Sequence, residues 1–176
     1  AIYRQTRVVV VGSTGSWNFP VTSGAFQTSI AGQSDIFLAR FDTAGTPLWS
    51  TFVGGSASDY AGGVEVDTSG NIVASGTSSS SNFPTTLGAY RTAWSLSSPD
   101  ISEGVAFSFD STGSQRWGTF FGGNNLDYMG NIRIDQYGFY YFVGITYSSN
   151  LPTTSSSLMP TRNPGTTTDG FLGRLS

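Results

Sequence analysis

Apolar and polar residues alternate along this chain in short runs of five to seven residues, each bounded by Gly, Asp, Ser or Pro. That period fits half-buried β-strands rather than helices. The runs read as strands over Ile36 to Phe41, Leu48 to Val53, Tyr60 to Val66, Ile72 to Gly76 and Val105 to Phe109. The turns between them share the form Asp-x-x-Gly, at Asp42 to Gly45, Asp67 to Gly70, Asp110 to Gly113 and Asp135 to Gly138. In such a turn the carboxylate accepts backbone amides and the glycine takes a positive φ, so each marks a hairpin tip. Helix signal is nearly absent apart from a short turn near Ser23 to Gln27, and the Ser-rich segments, together with Tyr90 to Ser102, read as long loops.

The pattern also repeats. Gly54-Gly55, Asp59-Tyr60, Asp67, Gly70 and Gly76 recur 68 residues later as Gly122-Gly123, Asp127-Tyr128, Asp135, Gly138 and Gly144. Phe41-Asp42, Gly45 and Trp49 recur at the same offset as Phe109-Asp110, Gly113 and Trp117. Asn18-Phe19-Pro20 returns as Asn82-Phe83-Pro84 and Asn150-Leu151-Pro152, while the Asp35 segment returns at Glu103 and Asp169. Four antiparallel strands per unit, repeated in tandem with Gly and aromatic marks at fixed places, predict β-propeller blades. A β-solenoid is the rival, but its strands pair between coils rather than by hairpins within one. The approximate units are 1–55 (partial), 56–123 (complete) and 124–176 (partial), with ten strands expected, or about two and a half to three blades of an all-β propeller.

Composition narrows the chemistry. The 176 residues contain no His, Cys or Lys, and 8 Arg against 11 Asp+Glu give a net charge of -3. Nucleophilic systems built on His or Cys, and zinc, haem or iron–sulfur sites of the usual ligand types, are thereby excluded. No basic surface is available for nucleic acid. Charged residues are only 11%, whereas Ser and Thr number 27 and 21, a balance that suits a bacterial exterior. No run approaches the roughly 18 apolar residues of a membrane span, and no signal peptide is visible.

The succession Gly-Gly-(x3)-Asp-Tyr, Asp-x-x-Gly-Asn, Asn-Phe-Pro-Thr-Thr, Asp-x-Phe-(x3)-Phe-Asp-x-x-Gly and Trp-Ser-Thr-Phe-x-Gly-Gly closely resembles the bacterial SBBP family of β-propeller repeats. Ser56 to Gly123 is the best copy. In the third copy Phe139 replaces Asn and Leu151 replaces Phe, and the first starts at its second strand, with Tyr3 at the place of the Asp. The resemblance implies a large secreted or cell-surface protein, often of bacteria with type IX secretion, in which a C-terminal sorting domain follows the propeller. Residues 1–176 are expected to hold propeller repeats alone. It implies no catalytic residue.

Several residues invite sharper readings. Asp67 and Asp135 are the calcium candidates among the hairpin acids, although one carboxylate per loop suits a turn cap better than a calcium cage. Asp59 and Asp127, after their Gly-Gly corners, are expected to bond backbone of the neighbouring strand or blade, since a buried acid needs satisfied oxygens. Asp-x-x-Gly-x-x-x-Trp at Asp42 to Trp49 and Asp110 to Trp117 is similar to the Asp-box of sialidases. A sialidase needs an arginine cluster, however, and only Arg40 and Arg174 share a repeat position, with Ser108 between. Trp49 and Trp117 fit core packing, whereas Trp17 and Trp94, in variable loops, are candidate ligand contacts. Asp42-Thr43-Ala44 and Asp110-Ser111-Thr112 match a short bacterial O-glycosylation pattern.

The expected protein is a non-catalytic scaffold, adhesion or surface-assembly module without a cofactor. Its expected partners are the remaining blades of a longer chain or other subunits, with surface polysaccharide as a candidate ligand. The alternatives are a lectin-like propeller and a glycosidase-type propeller enzyme. The structural anchors are Asp42, Gly45, Trp49, Gly54, Gly55, Asp59, Asp67, Gly70, Phe83, Pro84, Asp110, Gly113, Trp117, Gly122, Gly123, Asp127, Asp135 and Gly138.

Overall fold

The computed structural model describes residues 2–3, 7–94, 101–162 and 165–175. Part of the Tyr90 to Ser102 loop, residues 95–100, therefore lies outside the described residues. Eleven strands and no helix occur among the described residues, in three antiparallel sheets. The first sheet contains β1 (Ile2–Tyr3), β2 (Arg7–Thr14), β3 (Asp35–Asp42) and β4 (Pro47–Val53). The second contains β5 (Asp59–Val66), β6 (Ile72–Ser78), β7 (Glu103–Phe109) and β8 (Gln115–Phe121). The third contains β9 (Asp127–Ile134), β10 (Tyr140–Thr146) and β11 (Asp169–Leu175). Within each sheet every strand pairs with its neighbour in sequence, as hairpins require. The strand beyond the expected ten is β1, whose two residues pair with Arg7 and Val8. The turn near Ser23 to Gln27 is a tight one closed by Ala25 N donating to Thr22 O.

The hairpins form where the sequence supplies Asp-x-x-Gly. Gly45, Gly70, Gly113 and Gly138 have φ of 82°, 84°, 94° and 88°, a region that other residues enter at a cost. In each turn the Gly amide donates to the Asp carbonyl. The Asp carboxylate meanwhile accepts the amides two and four residues on: Asp67 Oδ1 takes Ser69 N at 2.9 Å and Asn71 N at 2.8 Å. Asp42, Asp110 and Asp135 make the same pair of bonds.

The second sheet is covered on both faces and the third on one. Every residue of β6 and β7 is buried, whereas β11 alternates between half-buried and exposed. One core joins the first and second sheets through Val9, Ile36, Leu38, Ile72, Val105, Phe107 and Phe109. A second joins the second and third through Val73, Ala106, Met129, Ile132 and Phe142. Phe83, 3% exposed, closes the first core against Phe107 and Phe120, which accounts for the aromatic residue of Asn-Phe-Pro. Each such ring removes apolar area worth about 1.5–3 kcal/mol from water.

Candidate functional site

Two features stand apart from strand pairing: a polar network where one sheet meets the next, and an apolar groove between the second and third sheets. The network begins at the Gly-Gly corners. Gly54-Gly55 links β4 to β5, and Gly122-Gly123 links β8 to β9. A Cβ on Gly55 would lie 2.5 Å from Asn82 Oδ1 and 2.6 Å from Ser80 Cβ, and one on Gly123 would meet Asn150 and Ser148 at the same distances. The corners are glycine because a second stretch of chain passes over them. The overlying asparagines then cap the loop: Asn82 Oδ1 accepts Ser56 N at 2.8 Å and Asn150 Oδ1 accepts Asn124 N at 2.7 Å.

Under each corner lies a fully buried aspartate. Asp59 Oδ2 accepts Gly55 N at 2.7 Å and the Ser80 hydroxyl at 2.9 Å, while Oδ1 accepts the Ser78 hydroxyl. Burial pushes the Asp59 carboxyl above its usual range, the charge of Asp35 adds to this, and the three donors pull the other way. Asp127 repeats the arrangement with Gly123 N at 2.7 Å and Ser148 Oγ at 2.8 Å. In place of Ser78 stands Thr146, whose hydroxyl accepts Ser148 N, and Asp127 Oδ1 is buried with no hydrogen-bond partner.

A second buried acid completes each junction. At the first it is Asp35, accepting Gln27 Nε2 at 2.7 Å and Ala31 N at 2.9 Å. At the second it is Glu103, paired with Arg91 Nη2 at 3.0 Å. Gln27 and Arg91 hold equivalent places, since their amides donate to Thr51 and Thr119 Oγ1, each at 2.9 Å. Each also reaches the corner: Gln27 Oε1 accepts Gly54 N, and Arg91 Nη1 donates to Gly122 O, both at 3.0 Å. The first junction thus contains two acids and a neutral amide, the second two acids and a guanidinium. Repetition in the sequence marks Asp59 and Asp127; Gln27 and Arg91 sit in loops that diverge, and their shared offset of 64 residues is the one signal that links them.

The other candidate residues are spread across the fold. Asp42, Asp67, Asp110 and Asp135 each close their own turn, and no three acids gather in one place among the described residues. Trp49 is 9% exposed, its Nε1 donating to Ser111 O at 3.1 Å across the first junction, and Trp117 packs against Tyr140 across the second. Pro84 O accepts Gln115 Nε2 at 2.9 Å. Trp94 is half-buried with its ring edge-on to Phe120, while Trp17 is 82% exposed. Arg40 donates to Ser111 O, and Arg174 lies over the Phe139 ring, 4.5 Å from its centroid.

The groove, of about 540 Å³, is lined by Tyr60, Thr77, Tyr128, Met129, Val143 and Ile145. Strand register puts Tyr128, Val143, Ile145 and Leu172 on one face of the third sheet, opposite the face that Phe142 turns into the second core. In the first and second sheets the corresponding face points at the following sheet. There Ser13 Oγ accepts Ala61 N at 2.8 Å and Thr77 Oγ1 accepts Met129 N at 3.3 Å. Compared with protein-family models and with curated proteins, the chain matches none of either.

Proposed function

We propose that the chain is part of a β-propeller of SBBP type, serving as an extracellular scaffold, adhesion or surface-assembly module of a bacterial surface protein. A further sheet of the same kind covers its third sheet. The observation that carries this reading is the difference between equivalent faces. The faces of the first two sheets that look forward along the chain are each covered by the next sheet. The same face of the third leaves Val143, Ile145 and Leu172 exposed at 48%, 49% and 71%. Three neighbouring branched aliphatics in water mark a surface that another element covers. The covering sheet belongs to a longer chain or to another subunit. Ser- and Thr-rich loops suit an extracellular surface.

Sedimentation velocity on the 176-residue chain tests this reading, because an uncovered face should make copies associate as concentration rises. Leu172→Asp should abolish that association with the fold intact by circular dichroism. A strictly monomeric wild-type chain would replace the propeller by an open stack of sheets. The lectin-like reading draws on Trp17, the one candidate aromatic contact in solvent; binding to a glycan array that Trp17→Ala removes would favour it.

A further inference from the structure

We propose that the outer edge of β11 and the loop 150–162 form a slot that takes one extended peptide segment of the form Trp-(Ser/Gly)-Thr-Phe, laid antiparallel to β11 as a fourth strand. This rests on the three sheets being copies of one unit, and the first two copies show how such a segment is held. Their fourth strands, β4 and β8, are gripped along both edges. On one edge each pairs with the third strand of its own sheet in the same register, so that Arg40 faces Trp49 and Ser108 faces Trp117. Along the other edge runs the loop that begins at Asn-Phe-Pro.

The loop makes the same contacts in both copies. Thr22 N donates to Ser50 O at 3.2 Å and Thr86 N to Gly118 O at 3.0 Å. The hydroxyls of Thr51 and Thr119 accept the amides of Gln27 and Arg91, each at 2.9 Å. The amides of Phe52 and Phe120 donate in turn to Gln27 O and Arg91 O, at 3.2 and 3.0 Å. Both Phe rings are fully buried and pack on Phe19 and Phe83 of the loop. The position between Trp and Thr is small because the loop closes over it. Ser50 Oγ donates to Pro20 O at 2.6 Å, and a Cβ on Gly118 would strike Pro84 O.

In the third sheet β11 pairs with β10, and no strand lies on its other edge among the described residues. The loop keeps its form there. Asn150 caps its corner as Asn82 does. Ser157 N donates to Thr154 O, as Ala25 N does to Thr22 O and Ala89 N to Thr86 O. Thr153 Oγ1 donates to Pro160 O and Thr85 Oγ1 to Thr92 O, both at 3.0 Å. Thr154 thus stands at the place of Thr22 and Thr86, Met159 at that of Gln27 and Arg91, and Leu151 at that of Phe19 and Phe83. Met159 is 62% exposed and makes no hydrogen bond among the described residues. An unpaired strand edge beside a loop set to bond a further strand is the geometry of strand addition, in which backbone bonds give affinity and alternate side chains give specificity.

The test is fluorescence anisotropy of the whole chain with a labelled peptide that has the sequence of residues 114–123, joined to amide hydrogen exchange. The peptide should bind one to one and slow exchange in β11, and a scrambled peptide should not bind. Phe120→Ala in the peptide should weaken binding at least about tenfold. In the chain, Leu151→Phe, which restores the ring of the other copies, should tighten binding roughly threefold. Met159→Pro, which removes the amide offered to the peptide's Thr, should weaken it roughly fivefold. Ile145→Asp charges the exposed face of the third sheet away from this edge and should leave binding unchanged. A chain that stays monomeric in sedimentation yet binds the peptide fails the reading of that face and keeps this one. No binding to the folded wild-type chain, equal binding of the scrambled peptide, or exchange slowed only outside β11 would overturn the proposal.

Discussion

Gly62→Ala is the substitution that most directly interrogates how the sheets meet, because geometry and backbone propensity give it opposite signs. Gly62 is the extra residue at a bulge of β5, between Ala61 and Gly63 in the pairing with β6. Its φ is not positive, so alanine meets no local backbone penalty there. Judged by the unfolded chain alone, Gly→Ala would stabilise by about 0.4–1 kcal/mol. The neighbouring sheet reverses the sign. A Cβ on Gly62 would lie 2.5 Å from Gly130 O and 2.6 Å from Met129 O, both on β9. A carbon rests comfortably about 3.3 Å from a carbonyl oxygen, so β5 and β9 would have to part by roughly 0.8 Å. The obstacle is backbone, with no flexible side chain to swing away. Overpacking of this kind costs about 1–3 kcal/mol.

The repeat supplies the control. Gly130 occupies the same place in the third sheet, yet its added Cβ would find only Val143 O at 3.4 Å, an ordinary contact. Gly130→Ala should therefore stay within about 0.5 kcal/mol of wild type. Urea unfolding followed by tryptophan fluorescence, with far-ultraviolet circular dichroism as a second probe, measures both variants. Gly62→Ala is expected to lose about 1–2 kcal/mol, or roughly 2–8 °C in Tm for a chain of this length. If the two alanines behave alike, the close approach of β5 to β9 is wrong.

Other substitutions test separate parts. Asp67→Asn should be mild in thermal melts because the amide oxygen can still accept Ser69 N and Asn71 N, whereas Gly70→Val, at φ 84°, should cost clearly more. If the hairpin acids are caps alone, chelator should leave Tm unchanged; a calcium-dependent rise would assign Asp67 or Asp135 to a metal. Phe107→Ala empties a fully buried site between Phe83 and Phe109 and should cost about 3–5 kcal/mol in denaturant titrations. Asp110 is held below its usual range by the Thr112 hydroxyl and by the amides of Ser114, Thr112 and Gly113. The stability it lends is present above the ordinary aspartate value and is lost as pH falls through the lowered one. Asp110→Asn should therefore flatten the acid limb of a pH–stability profile, and an unaltered limb would remove Asp110 from the account.

The strands and hairpin tips are legible in the sequence because they are local. Asp42 to Gly45 specifies its turn within four residues, and alternation over Ile36 to Phe41 suffices for a strand. Trp49 and Trp117 are legible as packing residues because one position recurs on a strand. The junctions are not, since their members come from separate places: Gln27 and Arg91 lie in loops of different sequence, and Ser80 and Ser148 look like any serine of a Ser-rich stretch. Trp94 follows the same logic. Its loop position suggests a free surface, but the Phe120 ring lies 5.6 Å away and draws it in.

The residues that recur and those that diverge divide by task. Gly54-Gly55, Asp59, Asp67 and Gly70 recur because a corner, a capped amide and a left-handed turn each admit few alternatives. Divergence collects where sheets face each other: Gln27 against Arg91, Asp35 against Glu103, Ser78 against Thr146, Thr77 against Ile145. Ser78 donates to Asp59 Oδ1, whereas Asp127 Oδ1 at the equivalent place has no partner. At that junction Arg91 is bonded to Gly122 O, next to the corner, and paired with Glu103. Ile145 replaces the hydroxyl through which Thr77 accepts Met129 N, so whatever packs on the third sheet must satisfy its own backbone there and meet an apolar surface instead. A repeat that is uniform in its turns can therefore hold each seam by different chemistry, a neutral amide beside the acids of the first and a guanidinium beside those of the second.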